Sequence, residues 1–129
     1  MSDRTILVLD DDSVRVRWLN RVARPLNADV LHTETVQDFL ATLEVEPDLI
    51  FMDHDLGTSF DGRDAARHME TRSPIVVWSC NSTRGPQMVD ILEERGLDVF
   101  PVWVPFGSTE LPLIVRMTLR DGRLPEVQP

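Results

Sequence analysis

The chain has 129 residues, 42% of them apolar, and a net charge of −9. That length supports one domain able to bury roughly two-thirds of its unfolded surface, and no apolar run is long enough to span a bilayer. The acidic balance disfavours nucleic acid, whose binding depends on neutralising phosphates. All 13 basic residues are arginine, with no lysine, and there is no tyrosine. The single cysteine, Cys80, precludes an intrachain disulfide and fits a reducing cytoplasm. No charged-then-apolar leader precedes the first apolar run, so cytoplasmic localisation is expected.

Apolar runs alternate with segments of helical period. The first strand is expected over Thr5–Asp10. A helix follows from Asp12 or Ser13, with Val14, Trp18 and Val22 on one face and Pro25 as its stop. A short second strand, Asp29–His32, leads to a helix that Thr35 caps, with Asp38 at its positive end. Pro47 precedes the third strand, Leu49-Ile-Phe-Met-Asp53, which reads as buried on both faces and runs into the turn His54-Asp55-Leu56-Gly57. A third helix spans about Asp61 to Glu70.

Pro74 introduces a fourth strand, Ile75–Trp78, which ends on Ser79. Cys80–Arg84 is read as a loop, Pro86 as the first turn of a fourth helix and Gly96 as its end. The fifth strand is Asp98–Val104, and a helix from Ser108 reaches Leu119 or Arg120, with Ile114 and Met117 inward. The expected domain covers residues 1–123, and 124–129, with two prolines, form a frayed tail. The pattern is (βα)5: an α/β, doubly wound, five-stranded parallel sheet of flavodoxin-like order 2-1-3-4-5. Its switch point falls between strands one and three, the two strands that end on aspartate.

Convergence of Asp10, Asp11 and Asp53 there would bring carboxylates together, and repulsion between them requires a proton or a cation. Oxygen ligands of this kind suit Mg²⁺ shared with a phosphate. An aspartate so placed can attack phosphorus, while the Ser79 hydroxyl and nearby backbone N–H groups hold phosphoryl oxygens. The alternative for Asp12 and Ser13 is helix capping, and for Asp55 a turn.

On these residues the chain resembles a receiver domain of bacterial response regulators over nearly its whole length. The resemblance implies that Asp10 and Asp11 are the metal-binding acidic pair, that Asp53 is the phosphoacceptor and that Asp55 completes the metal site. It also implies that Ser79 is the hydroxyl switch position and that Pro105-Phe106 ends strand five. A histidine kinase or small phosphodonor is then the expected source of phosphate. A protein partner or second copy is expected on the helix 4–strand 5–helix 5 face. Two positions depart from the family: Val104 stands where it has lysine, and Gly57 where it usually has proline. Arg84 and Arg63 are the candidates for the missing charge, with solvated surface positions as the alternative for each.

The segments Asp53-His54-Asp55-Leu56-Gly57, Trp78-Ser79-Cys80-Asn81 and Val104-Pro105-Phe106-Gly107 are similar to a divergent receiver subgroup proposed to process or sense cyclic phosphates. That resemblance implies that His54 is a general acid or base and that Asn81 binds a phosphoryl oxygen; Arg84, beside the loop at the same sheet edge, is expected to join it as a phosphate ligand. The alternatives are a solvent-facing His54 and a loop-stabilising Asn81. Ile6–Val14 also fits a haloacid-dehalogenase-type phosphatase, with Asp10 as nucleophile and Asp12 as acid. That reading lacks a lysine, room for a flap and a later aspartate pair. An interaction module independent of phosphate is a further alternative. His32 and His68 have no partners at zinc-ligand spacing, and Trp78 and Trp103 are expected to pack against the sheet.

Overall fold

The computed structural model describes residues 4–53, 61–78, 84–102 and 110–122. Within them, five strands alternate with five helices: β1 (Arg4–Leu9), α1 (Ser13–Ala23), β2 (Ala28–Thr33), α2 (Val36–Thr42), β3 (Leu49–Met52), α3 (Gly62–His68), β4 (Ile75–Trp78), α4 (Arg84–Glu94), β5 (Val99–Val102) and α5 (Glu110–Asp121). All neighbouring strands pair in parallel, in the order β2-β1-β3-β4-β5, as the alternation of elements implies.

Strand alternation divides the apolar residues between two cores. Leu7, Leu9, Ile50, Met52, Ile75 and Val77 face α2, α3 and α4, meeting Phe39, Ala65, Met69, Met88 and Leu92. Ile6, Val8, Leu49, Phe51, Val76 and Trp78 face α1 and α5, meeting Val16, Leu19, Ala23, Leu111, Val115 and Leu119. β3 and β4 are buried at every position, which explains their unbroken apolar sequences. No described helix is long and apolar enough to cross a membrane.

The helix ends follow local chemistry. Asp12 caps α1, accepting from the N–H groups of Val14 and Arg15, and Thr35 caps α2, accepting from Asp38 N–H. Gly96, at φ +76°, closes α4, where the Leu97 N–H reaches back to the Leu92 carbonyl. This left-handed position favours glycine. α3 ends at His68, short of Glu70, and Arg84 begins α4 instead of closing the preceding loop.

Two helix faces differ from the sequence reading. In α1 the buried stripe is Val16, Leu19 and Ala23; Trp18 and Val22 lie at its flank, and Val14 is 53% exposed. In α5 the inward residues are Leu111, Val115 and Leu119; Ile114 packs at the margin and Met117 is only half-buried. Each helix carries two apolar stripes of similar spacing, and the sheet selects the one whose members reach its pleat.

The selected α1 stripe gives the two residues unequal weight. Leu19→Ala is expected to cost about 2–4 kcal/mol, whereas Val14→Ser changes stability by no more than about 0.5 kcal/mol. Urea unfolding of both variants checks this, and equal losses would contradict the assigned face.

Candidate functional site

The parallel register continues one residue beyond β1 and β3. The Asp10 N–H donates to the Thr33 carbonyl at 3.1 Å, and the Asp53 N–H to the Leu9 carbonyl at 2.9 Å. Both aspartates are thereby held at the C-terminal edge of the sheet, at its switch point. Asp10 is 4% exposed and Asp53 6%. Further bonds fix the Asp10 backbone and side chain. His32 Nε2–H donates to the Asp10 carbonyl at 2.7 Å, and Asp10 Oδ1 accepts from the Asp12 N–H at 2.8 Å. Thr33 Oγ1 ties the adjacent strand to the Val8 carbonyl at 2.7 Å.

Asp10, Asp11 and Asp53 each offer a carboxylate oxygen, and these oxygens all lie within 4.8 Å of one another. Asp10 and Asp53 are buried and Asp11 is exposed, so the cluster is reached from the solvent side. A donor set made only of carboxylate oxygens fits a hard divalent cation such as Mg²⁺, which keeps waters in its remaining positions. Asp12 is not part of this cluster, and its Oδ1 is occupied by the α1 cap.

The structure adds a residue that the sequence reading passed over. Arg15, in the first turn of α1, reaches across the strand ends. Its Nε lies 3.4 Å from Asp10 Oδ2 and its Nη1 3.7 Å from Asp53 Oδ2. Its Nη2–H donates to the Trp78 carbonyl at 2.6 Å, and its Cζ lies 4.2 Å from the centre of the Trp78 ring. Trp78 is itself held edge-on by Phe51 and tilted against Trp18. The sequence did contain a signal for Arg15: a cation in the first turn opposes the helix dipole, and such a placement calls for a compensating partner.

Arg63 does not supply this charge. It is engaged by Asp61, at 3.2 Å, and by Gln87 Oε1, at 3.0 Å, beside the start of α3. Arg84 opens α4, but its side chain lies outside the described residues, as do His54, Asp55, Ser79, Asn81 and Val104. His68 is bound to the Asp64 carbonyl of its own helix. A broad depression lined by Arg4, Asp48, Arg72 and Arg95 includes none of Asp10, Asp11 and Asp53.

A model of the cyclic-phosphate processing receiver domain matches residues 5–94. No curated protein matches the chain. Among solved structures it is similar to a two-component response regulator from Clostridium difficile, at 20% identity and a TM-score of 0.75, over 92% of this chain and 98% of that one. The Mn²⁺-bound form of the response regulator Rcp1 shares 18% identity at a TM-score of 0.71, over 95% and 99% of the two chains. The receiver domain of the sensor histidine kinase PA1611 from Pseudomonas aeruginosa PAO1, with magnesium in its active-site cleft, shares 23% at 0.70, over 92% and 98%. At these identities the likeness to solved structures establishes the fold.

Burial is the strongest influence on Asp10 and raises its carboxyl above the ordinary 3.8. Arg15 and the Asp12 N–H oppose the rise, and Asp11 and Asp12 add to it. A carboxyl raised in the folded state holds its proton more tightly than in the unfolded chain. Its contribution to stability is therefore fully present below 3.8 and is lost as pH rises through the folded value. Asp10→Asn is expected to melt above wild type at neutral pH in the absence of divalent cations, with the gap closing as pH falls toward 3.8. Calorimetry across pH checks this, and a variant that melts lower at neutral pH would contradict it.

Proposed function

The chain belongs to the cyclic-phosphate processing receiver domain family, and we propose that its strand-end carboxylates hold Mg²⁺ and with it engage the phosphate of a cyclic-phosphate ligand. The observation that carries this reading is the convergence of Asp10, Asp11 and Asp53, with oxygens within 4.8 Å of one another at the sheet's switch point. Mg²⁺ bound there supplies charge neutralisation and polarises a phosphoryl oxygen. Asp53 is the central carboxylate, held in place through its own backbone N–H. Asp55 completes the metal set, Ser79, Asn81 and Arg84 bind phosphoryl oxygens, and His54 moves the proton. These last assignments rest on the motifs around Asp53 and Ser79 and, for Arg84, on its place beside the loop that follows β4.

A second reading is phosphorylation of Asp53 from a histidine kinase or a small phosphodonor. It is favoured by the structural likeness to response regulators and by the position of Asp53 directly after β3. In that reading the face formed by α4, β5 and α5 meets a protein partner or a second copy. Val99, Phe100 and Pro101 leave β5 half-buried, as an edge open to a partner requires. Two earlier alternatives lose support. A haloacid-dehalogenase-type site needs Asp12 as its acid, yet Asp12 caps α1, which begins at Ser13 and leaves no segment for a flap. A module indifferent to phosphate gives no account of the converged carboxylates.

Phosphorus NMR separates the two main readings. With Mg²⁺ and 2′,3′-cyclic AMP, wild type is expected to open the cyclic phosphate or shift its resonance. Asp53→Ala, or wild type with the metal chelated, leaves the signal unchanged. Acetyl phosphate consumed by wild type and spared by Asp53→Ala, with the cyclic nucleotide untouched, would instead establish phosphorylation of Asp53.

A further inference from the structure

Arg15 is anchored in an unusual way for a partner of two carboxylates. Its firm attachments are to Trp78, through the 2.6 Å bond to the carbonyl and the 4.2 Å approach to the ring. Its contacts with the acids are looser, at 3.4 Å to Asp10 and 3.7 Å to Asp53. The Nε atom is sealed from solvent and makes no hydrogen bond among the described residues, although a carboxylate oxygen lies 3.4 Å away. A committed arginine–carboxylate pair has the opposite pattern, with forked bonds of about 2.7–2.9 Å. The guanidinium is therefore fixed by the aromatic floor and only leans on the acids.

Charge balance points the same way. Among the described residues, Asp10, Asp11 and Asp53 bring three carboxylates to this edge, and the guanidinium of Arg15 lies against two of them. A divalent cation at this edge adds to the positive charge that the arginine brings to the carboxylates. A cation held by Asp10 and Asp53 would compete for the two carboxylates that the guanidinium faces.

We infer that Arg15 is an exchangeable counter-ion of the acidic cluster: a divalent cation takes the carboxylates of Asp10 and Asp53 from it, and the guanidinium, still held on Trp78, turns its freed N–H groups to the ligand's phosphate oxygens. The inference rests on the reading of this edge as a metal-dependent phosphate site and assigns that site a positioning residue. No covalent step is involved. Arginine suits the role because its planar fork matches two phosphate oxygens at once, which a lysine ammonium does not.

The test uses Arg15→Met, which keeps an unbranched stem over Trp78 without the charge, and Arg15→Lys, which keeps the charge without the fork. Arg15→Gln, with a donor for the Trp78 carbonyl, replaces the methionine variant if that one does not fold. Circular dichroism verifies each fold. Mg²⁺ is titrated calorimetrically into each protein, followed by 2′,3′-cyclic AMP at saturating Mg²⁺. The neutral variant is expected to bind Mg²⁺ about tenfold more tightly than wild type, the order expected when one positive charge leaves the edge of a divalent site. Arg15→Lys stays near wild type for the metal. Both variants bind the cyclic nucleotide more weakly, the neutral one by about tenfold or more.

Equal Mg²⁺ affinity in wild type and the neutral variant overturns the exchange. So does a cyclic nucleotide that binds wild type and the neutral variant equally. Tighter Mg²⁺ binding by the neutral variant, with no cyclic nucleotide bound by wild type, supports the metal exchange and sinks the cyclic-phosphate reading instead.

Discussion

Two carboxylates sit almost out of water at the ends of neighbouring parallel strands, and a cation lying against both comes from the first turn of α1. Asp10 and Asp53 are brought there by register alone, because each N–H continues the ladder one step past its strand. Such groups are costly to bury unless charge is supplied nearby. Arg15 supplies it, and in doing so links α1 to the ends of β1, β3 and β4. Removing the arginine from a buried ion pair leaves a carboxylate uncompensated and typically costs about 3–5 kcal/mol, a figure to be reduced here because the contacts are long and Arg15 keeps 13% of its side chain exposed. The same arrangement makes this edge receptive to a second cation.

The fold serves this edge. Two fully buried central strands, β3 and β4, leave little freedom in the position of Asp53 or of the Trp78 carbonyl. The α1 stripe of Val16, Leu19 and Ala23 sets the rotation of the helix on the sheet. That rotation turns Val14 outward and allows Arg15 to reach over the strand ends. His32 contributes from β2 by bonding the Asp10 carbonyl, so three adjacent strands determine where one carboxylate stands. Rigidity of this kind is what a metal and phosphate site requires of its scaffold.

Much of this was readable in the residues. The strands appear as apolar runs, the helices as periodic segments between them, and parallel connection through helices leaves the order β2-β1-β3-β4-β5 as the natural closure. The acidic triad followed from that order, since it places the ends of β1 and β3 side by side. Other features depend on three-dimensional reach. Val14, Trp18 and Val22 form as good a helical stripe as Val16, Leu19 and Ala23, and only packing against β1 and β3 distinguishes them. Arg15 has neighbours far away in sequence, among them Trp78, 63 residues on, so no local pattern specifies its contacts. The sequence offers Arg63 as a candidate for this charge, yet a nearer carboxylate, Asp61, takes it.

In the proposed function Asp10, Asp11 and Asp53 hold a divalent cation in contact with a ligand's phosphate. Paramagnetic relaxation reads that proximity directly. With Mn²⁺ in place of Mg²⁺, the phosphorus signal of 2′,3′-cyclic AMP should relax much faster in the presence of wild type than with Mn²⁺ alone, and the enhancement should vanish in the Asp10→Asn, Asp11→Asn double variant. A relaxation rate that wild type does not change, or that the double variant leaves at the wild-type level, would contradict the account.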